Sequence, residues 1–241
     1  MKFLTFCRGV FVLCLAPVLT ALTSLFAIFM AVVCRSSQEN IQELPQRLGR
    51  IIAWCSGVSV EVSGVEGIEH GKPYIFAANH QSQFDIFVLQ GFLGFDFRWL
   101  AKKELFKVPV FGYAMRLAGY IPVDRSHGRQ ALKSLDEAAE RIAAGVSVVI
   151  FPEGTRSMDG NLLPFKPGAM VLAIKAGVPV VPVAIVGTHQ VLPKGKLLAR
   201  SGRVIIRVGE PIATRGYVLK DKRVLAARIE ESVSALKNKS A

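Results

Sequence analysis

From Gly9 to Val33 not one side chain carries a charge, and Phe11, Val12, Leu13, Leu15, Leu19, Leu22, Leu25, Phe26, Ile28, Phe29 and Met30 fill the stretch. A helix of that length reaches across a hydrocarbon core of roughly 30 Å, so the segment belongs in a bilayer. Lys2 and Arg8 in front of it look like the charged start of a secretion signal. The apolar run is longer than the roughly 7–15 residues of a signal's hydrophobic region, so it is expected to stay attached. Basic residues lie on both sides, with Arg35, Arg47 and Arg50 following, so charge alone does not set the orientation.

The remaining chain follows a different rule. Ser36 to Asn40 reads as a polar connector, followed by a helical pattern with Leu44, Leu48, Ile51, Ile52 and Cys55 on one face. Val58–Val62 alternates like a strand. Apolar runs then recur at Pro73–Phe76, Phe97–Ala101, Gly119–Val123, Val148–Phe151 and Val180–Val186, the fourth of these expected as the central strand. Helical patterns fall between them at Phe84–Phe95, Phe111–Leu117, Arg129–Ala144 and Gly168–Ala176, two of these closed by Gly145 and Gly177. Such alternation predicts an α/β fold, a mixed, largely parallel sheet flanked by helices, with functional loops at the strands' C-terminal ends. Val204–Pro211 is expected to close the sheet at an edge, where proline is tolerated. The tail, with Val218, Leu225, Ile229, Val233 and Leu236, reads as an amphipathic helix carrying Lys220, Lys222, Arg223 and Arg228, a packed terminal helix in preference to a dedicated lipid-binding element. The chain therefore divides into a membrane-associated helical segment and connector, 1–56, and one α/β domain, 57–241.

Where the Pro73–Phe76 run breaks, the chain turns polar: Asn79-His80-Gln81-Ser82-Gln83-Phe84-Asp85. Asp85 follows His80 by five positions, close enough in one turn for the carboxylate to hold one ring nitrogen and leave the other as a base. A His and an Asp at a helix start also serve as a cap and a first-turn carboxylate. Ser82 lies between them without the flanking glycines of a nucleophile elbow, so a base here would activate a hydroxyl on the substrate. A second strand-to-turn break follows at Phe151-Pro152-Glu153-Gly154-Thr155-Arg156-Ser157.

Together these blocks resemble the glycerolipid acyltransferases typified by 1-acylglycerol-3-phosphate acyltransferase. The histidine–aspartate block is Asn79 to Asp85, and the glutamate–glycine–threonine–arginine block is Phe151 to Ser157. An arginine-bearing block, Gly119-Tyr120-Ile121-Pro122-Val123-Asp124-Arg125, follows Ala101-Lys102-Lys103-Glu104-Leu105. The last block is similar to Val180-Val181-Pro182-Val183-Ala184-Ile185. All four occur in the family's order, over about residues 60 to 215.

The resemblance implies an acyl thioester donor, acyl-CoA or acyl-carrier protein, and a lysophospholipid acceptor, with no cofactor and no metal. It implies His80 and Asp85 as the catalytic pair and candidate substrate contacts at Lys102, Lys103, Arg125, Glu153, Gly154, Thr155 and Arg156. Arginine suits forked contacts to phosphate oxygens, glycine suits a close backbone approach, and Glu153 is expected to hold a cation, to meet polar groups of the acceptor or to serve structure. Pro152 and Pro182 are expected to shape loops, and oxyanion donors to come from turn amides near His80 or at Pro152–Gly154. It also allows a helix pair that enters one leaflet and returns.

Thirty Lys and Arg against eighteen Asp and Glu give a net charge of +12, which suits an anionic membrane surface and a catalytic domain on the cytoplasmic face of the cell membrane. The basic residues are scattered and match no nucleic-acid-binding motif, so no nucleic-acid partner is expected. Cys7, Cys14, Cys34 and Cys55 have no metal-ligand spacing and read as packing residues. Another lysolipid acceptor, such as a lyso-ornithine lipid, would share every block, and a non-catalytic lipid-binding protein would need the charge and the apolar segment but not the ordered histidine–aspartate pair.

Overall fold

The computed structural model describes residues 2–124 and 129–239. The uncharged run forms one helix, α1 (Lys2–Val32), continuous through Pro17. It is long and apolar enough to cross a membrane. Phe3, Phe11, Leu22, Phe26 and Phe29 face outward, while Val12 and Ala27 are buried against the protein. The hydroxyls of Thr20 and Ser24 donate to the carbonyls of Ala16 and Thr20, both at 2.7 Å, so these two polar groups are paired within the helix.

Helix α2 (Gln38–Ser56) packs along α1. Ser37 caps it, its hydroxyl accepting from the Asn40 amide, so the expected connector supplies the first turn of the helix with its second half. The buried face also differs from expectation. Ile41, Gln42, Gly49, Ile52, Ala53 and Ser56 are buried, whereas Ile51 is 44% and Trp54 80% exposed. The reason is a backbone-level crossing with α3 (Phe84–Phe92). A Cβ on Gly49 would lie 2.5 Å from the Phe87 carbonyl oxygen, and one on Gly91 2.9 Å from the Arg50 nitrogen. Glycine, not the aliphatic stripe, sets which side of α2 turns inward.

The strands are β1 (Val58–Ser63), β2 (Ile75–Ala78), β3 (Arg98–Lys102), β4 (Ile121–Val123), β5 (Val148–Ile150), β6 (Val180–Val186) and β7 (Gly202–Val208). They form a seven-stranded sheet in the order β1-β7-β6-β2-β5-β3-β4. Every neighbouring pair is parallel except β6 and β7. The sheet is thus mixed and largely parallel, as the alternation of patterns implies.

Two expectations about position fail. Strand β2, not β5, takes the middle of the order, and β7 lies inside the sheet between β1 and β6. Pro211 stands beyond the end of β7 and leaves its ladder intact, so the edge argument from proline does not reach it. Pro182, expected to shape a loop, lies within β6, inside the run that reads as a strand. Its carbonyl accepts from the Gly209 amide just past the end of β7, where the antiparallel ladder stops, so the missing N–H removes little.

Side chains on β2 alternate between two cores. Phe76 and Ala78 join a cluster with Val12, Ile52, Phe84, Val88 and Leu89, from α1, α2 and α3. Ile75 and Ala77 join the other, supplied by α5 (Arg129–Ala143), α6 (Pro167–Ala176) and α8 (Lys222–Asn238). The tail helix is a packed terminal element, with Leu225, Ile229 and Val233 wholly buried. Helices α4 (Phe111–Leu117) and the short α7 (Thr188–Val191) complete the order.

Gly49→Ala is expected to force α2 off α3 and destabilise the chain by about 1–3 kcal/mol, whereas Ile51→Ala on the outward side stays within about 0.5 kcal/mol. Thermal unfolding in detergent compares them; equal midpoints for the two variants would show that the glycine contact does not set the packing.

Candidate active site

Strands β2, β5, β3, β4 and β6 run parallel, so their C-terminal ends lie along one edge of the sheet. At the end of β2 the chain enters the turn before α3. His80 Nδ1 lies 2.8 Å from Asp85 Oδ2. That oxygen also accepts from the main-chain amides of Gln81 at 2.8 Å and Ser82 at 2.9 Å. Asp85 is fully buried and the His80 side chain 15% exposed, so the carboxylate is sealed while the ring meets the surface. With Nδ1 engaged, Nε2 is the nitrogen left to take a proton. Ser82 is no rival nucleophile. Its hydroxyl donates to the Leu192 carbonyl and accepts from the Phe84 amide, as a helix-start residue does.

The turn is tied to its neighbours on both sides. Toward β6, the Asn79 amide group donates to the Ile185 carbonyl at 2.9 Å and accepts from the Ile185 amide at 2.7 Å, and Gln81 donates to the same carbonyl. Toward β5, the His80 amide donates to Glu153 Oε1 and the His80 carbonyl accepts from the Ser157 amide at 2.8 Å. The imidazole stacks on Phe151, with centroids 3.9 Å apart and planes 13° from parallel, and Phe151 stacks in turn on Trp99.

Glu153 is a clamp here. One oxygen accepts from the His80 amide and the other from the Leu163 amide at 2.9 Å, and the residue is 2% exposed. Among the described residues it makes no ion pair, so the expectation that it holds a cation is not met: buried amides take both its oxygens. Gly154 has φ +71°, so the position is reserved for glycine by conformation, while a Cβ there would meet only the movable end of the Lys166 side chain. Thr155 is exposed and Arg156 half-buried. Arg156 has no acidic partner among the described residues. Lys102 is exposed beside Glu104 at 3.7 Å, while Lys103 is paired to Asp124 at 2.5 Å, which raises its pKa. Arg125 lies outside the described residues, as does His127.

Lys102 ends β3, two strands from β2, or roughly 10 Å at ordinary strand spacing, a gap a lysine and a bound phosphate can span together. The sheet edge thus brings together His80, Asp85, Glu153, Gly154, Thr155, Arg156, Lys102 and Lys103. The sequence reading missed three participants. Thr188 donates its hydroxyl to Asp85 Oδ1. Lys194 donates to the Arg156 carbonyl at 2.8 Å and to the Thr155 hydroxyl at 3.3 Å. Phe151 supplies the floor under the imidazole. None of these stands near His80 in the chain, and only the ring, at the head of the second block, lay within a stretch already singled out.

Residues 59–186 match the model of the Acyltransferase family. A chloroplast 1-acyl-sn-glycerol-3-phosphate acyltransferase of Brassica napus is 38% identical over 154 residues, 63% of this chain and 44% of that protein. The alpha form of the enzyme from Ovis aries is 34% identical over 213 residues, 87% of this chain and 74% of the relative. The crystal structure of the 1-acyl-sn-glycerophosphate acyltransferase PlsC from Thermotoga maritima superposes with a TM-score of 0.83 at 29% identity, covering 100% of this chain and 99% of that one. The chain belongs to the 1-acyl-sn-glycerol-3-phosphate acyltransferase family. It spans a little under half the length of the Brassica napus relative. The family match takes in the dyad, the Glu153 clamp and the β3 lysines, and it stops just short of Thr188 and Lys194.

Burial pushes the Glu153 carboxyl up to about 7, desolvation outweighing the amides of His80 and Leu163 that favour the anion. A carboxyl raised above its unfolded value of 4.5 stabilises the fold in its neutral form, so that contribution is complete below that value and is lost as pH rises through about 7. The thermal midpoint of the wild-type chain is therefore expected to fall more steeply between about pH 5 and about pH 8 than that of Glu153→Gln. Parallel slopes across that window would rule out Glu153 as the titrating group.

Proposed function

We propose that this chain transfers a fatty acyl group from an acyl thioester to the sn-2 hydroxyl of lysophosphatidic acid, forming phosphatidic acid. The observation that carries this reading is the imidazole held through Nδ1 by a sealed carboxylate, with Nε2 left for a substrate hydroxyl and, among the described residues, no serine, threonine or cysteine side chain bonded to the ring. His80 Nε2 takes the hydroxyl proton as the oxygen attacks the thioester carbonyl. The tetrahedral oxyanion then expels the thiolate, which recovers the proton from the imidazolium, so ester and free thiol leave and the base is restored.

The oxyanion needs donors that are not already spent. The amides of Gln81 and Ser82 are committed to Asp85, that of His80 to Glu153 and that of Gly154 to the Phe151 carbonyl. Among the described residues the amides of Thr155 and Arg156 have no acceptor, and they are the donors this reading assigns. The acceptor phosphate goes to Arg156 with Lys102 or Lys103 and Arg125, Arg156 carrying a charge that no acid offsets among the described residues.

An apolar cavity of about 510 Å³ lies against the dyad's helix, lined by Val12, Ala16, Pro17, Ile52, Phe84 and Phe87. Its size falls in the range of small-molecule sites and its walls suit an acyl chain. Because α1 forms one wall, the same segment that enters lipid would shape the chain's binding site. The net charge of +12 supports docking on the anionic cytoplasmic leaflet of the cell membrane. Acyl-CoA and acyl-carrier protein share the thioester chemistry, and a lyso-ornithine lipid acceptor would use the same base.

Purified protein incubated with lysophosphatidic acid and labelled acyl-CoA is expected to yield labelled phosphatidic acid, and His80→Ala to lower kcat by about 10²- to 10⁴-fold. Transfer undiminished in His80→Ala would exclude the imidazole as base. Transfer only to lyso-ornithine lipid in the same assay would reassign the acceptor, and no transfer to any lysolipid would favour a lipid-binding protein.

A further inference from the structure

We propose that Thr188 is a positioning residue for acyl transfer, acting through Asp85; the inference rests on His80 being the base. The two oxygens of Asp85 are used unequally. Oδ2 receives His80 Nδ1 and the amides of Gln81 and Ser82, while Oδ1 receives the Thr188 hydroxyl. Both Asp85 and Thr188 are wholly buried, so water does not replace that hydroxyl when it is lost.

Without the hydroxyl, Oδ1 is a buried anionic oxygen with no donor among the described residues, a state far less favourable than the paired one. The carboxylate torsion of aspartate is broad, so the group then turns to share the donors of Oδ2 between its two oxygens. Every such turn weakens the hold on Nδ1 and lets the imidazole leave the orientation in which Nε2 faces the substrate. Thr188 thus fixes the base without touching substrate.

The chain is shaped to deliver this hydroxyl. Strand β6 ends against the catalytic turn, Ile185 bonding both Asn79 and Gln81. Gly187 follows with φ +100°, and a Cβ there would lie 2.2 Å from the Arg203 carbonyl oxygen, so only glycine turns the backbone in this space. The next residue is Thr188. Asn79 and Gln81 therefore both meet Ile185 and Asp85 meets Thr188, all within one four-residue segment more than a hundred positions away in the chain.

Thr188→Val keeps the shape and removes the donor, and Thr188→Ser keeps the donor. In the acyl-transfer assay, Thr188→Val is expected to lower kcat by about 10- to 100-fold with both KM values within about twofold, and Thr188→Ser to stay within about threefold of wild type. In a His80→Ala background the Val change is expected to have no further effect, because its action passes through the imidazole. A kcat for Thr188→Val within about twofold of wild type, or a Ser variant as slow as the Val variant, overturns the inference. Should Thr188→Val not fold, Thr188→Ala against Thr188→Ser decides by the same comparison. An active His80→Ala enzyme instead refutes the base assignment itself, while an inactive one beside an unaffected Thr188→Val refutes only the role of Thr188.

Discussion

A carboxylate with no access to water sits at the centre of the turn between β2 and α3. An ionised group so placed is tolerated only when its lone pairs meet donors, and Asp85 meets four, from His80, Gln81, Ser82 and Thr188. Two are main-chain amides of its own turn, which fixes the path of residues 80–82. One is the imidazole it orients. The fourth comes from the end of β6 and ties the turn to the sheet. The requirement to satisfy one buried charge accounts for much of the local architecture.

Glu153 repeats the device on the other side with a different result. It too accepts main-chain amides, those of His80 and Leu163, but burial outweighs them and its pKa rises to about 7. Asp85 steers a side chain, whereas Glu153 holds backbone: the histidine's own amide on one oxygen and the loop after the second block on the other. His80 is thus gripped at its ring by one carboxylate and at its main chain by another, with Phe151 beneath the ring. Parallel strands make this convergence possible, since it is their common direction that puts the ends of β2, β5 and β6 side by side.

The long apolar helix is joined to this arrangement through packing. Helix α1 contributes Val12 to the same core that holds Phe84, the residue before Asp85, and it walls the apolar cavity with Ala16 and Pro17. Helix α2 reaches α3 through glycine-to-backbone contact. The apolar helix and the His80–Asp85 pair therefore meet through one helix, α3.

The sequence was enough for the long apolar helix, the strands and the longer helices in their order, the largely parallel sheet and the pair His80 and Asp85, because each is written in residues near one another: uncharged length, period and a five-residue spacing; the short helix α7 carried no such signal. It did not determine that β7 lies inside the sheet, since Pro211 falls beyond the strand and strand order is a matter of long-range pairing. Nor did it show that Ile51 faces outward, because the crossing is set by Gly49 against α3 and not by hydrophobicity along α2. Glu153 was legible as a site residue but not as a clamp, for its partners lie 73 positions before it and 10 after it. Thr188 and Lys194 escaped altogether. Their parts rest on hydrogen bonds across 103 and 38 positions, and only the folded sheet brings those ends within bonding distance.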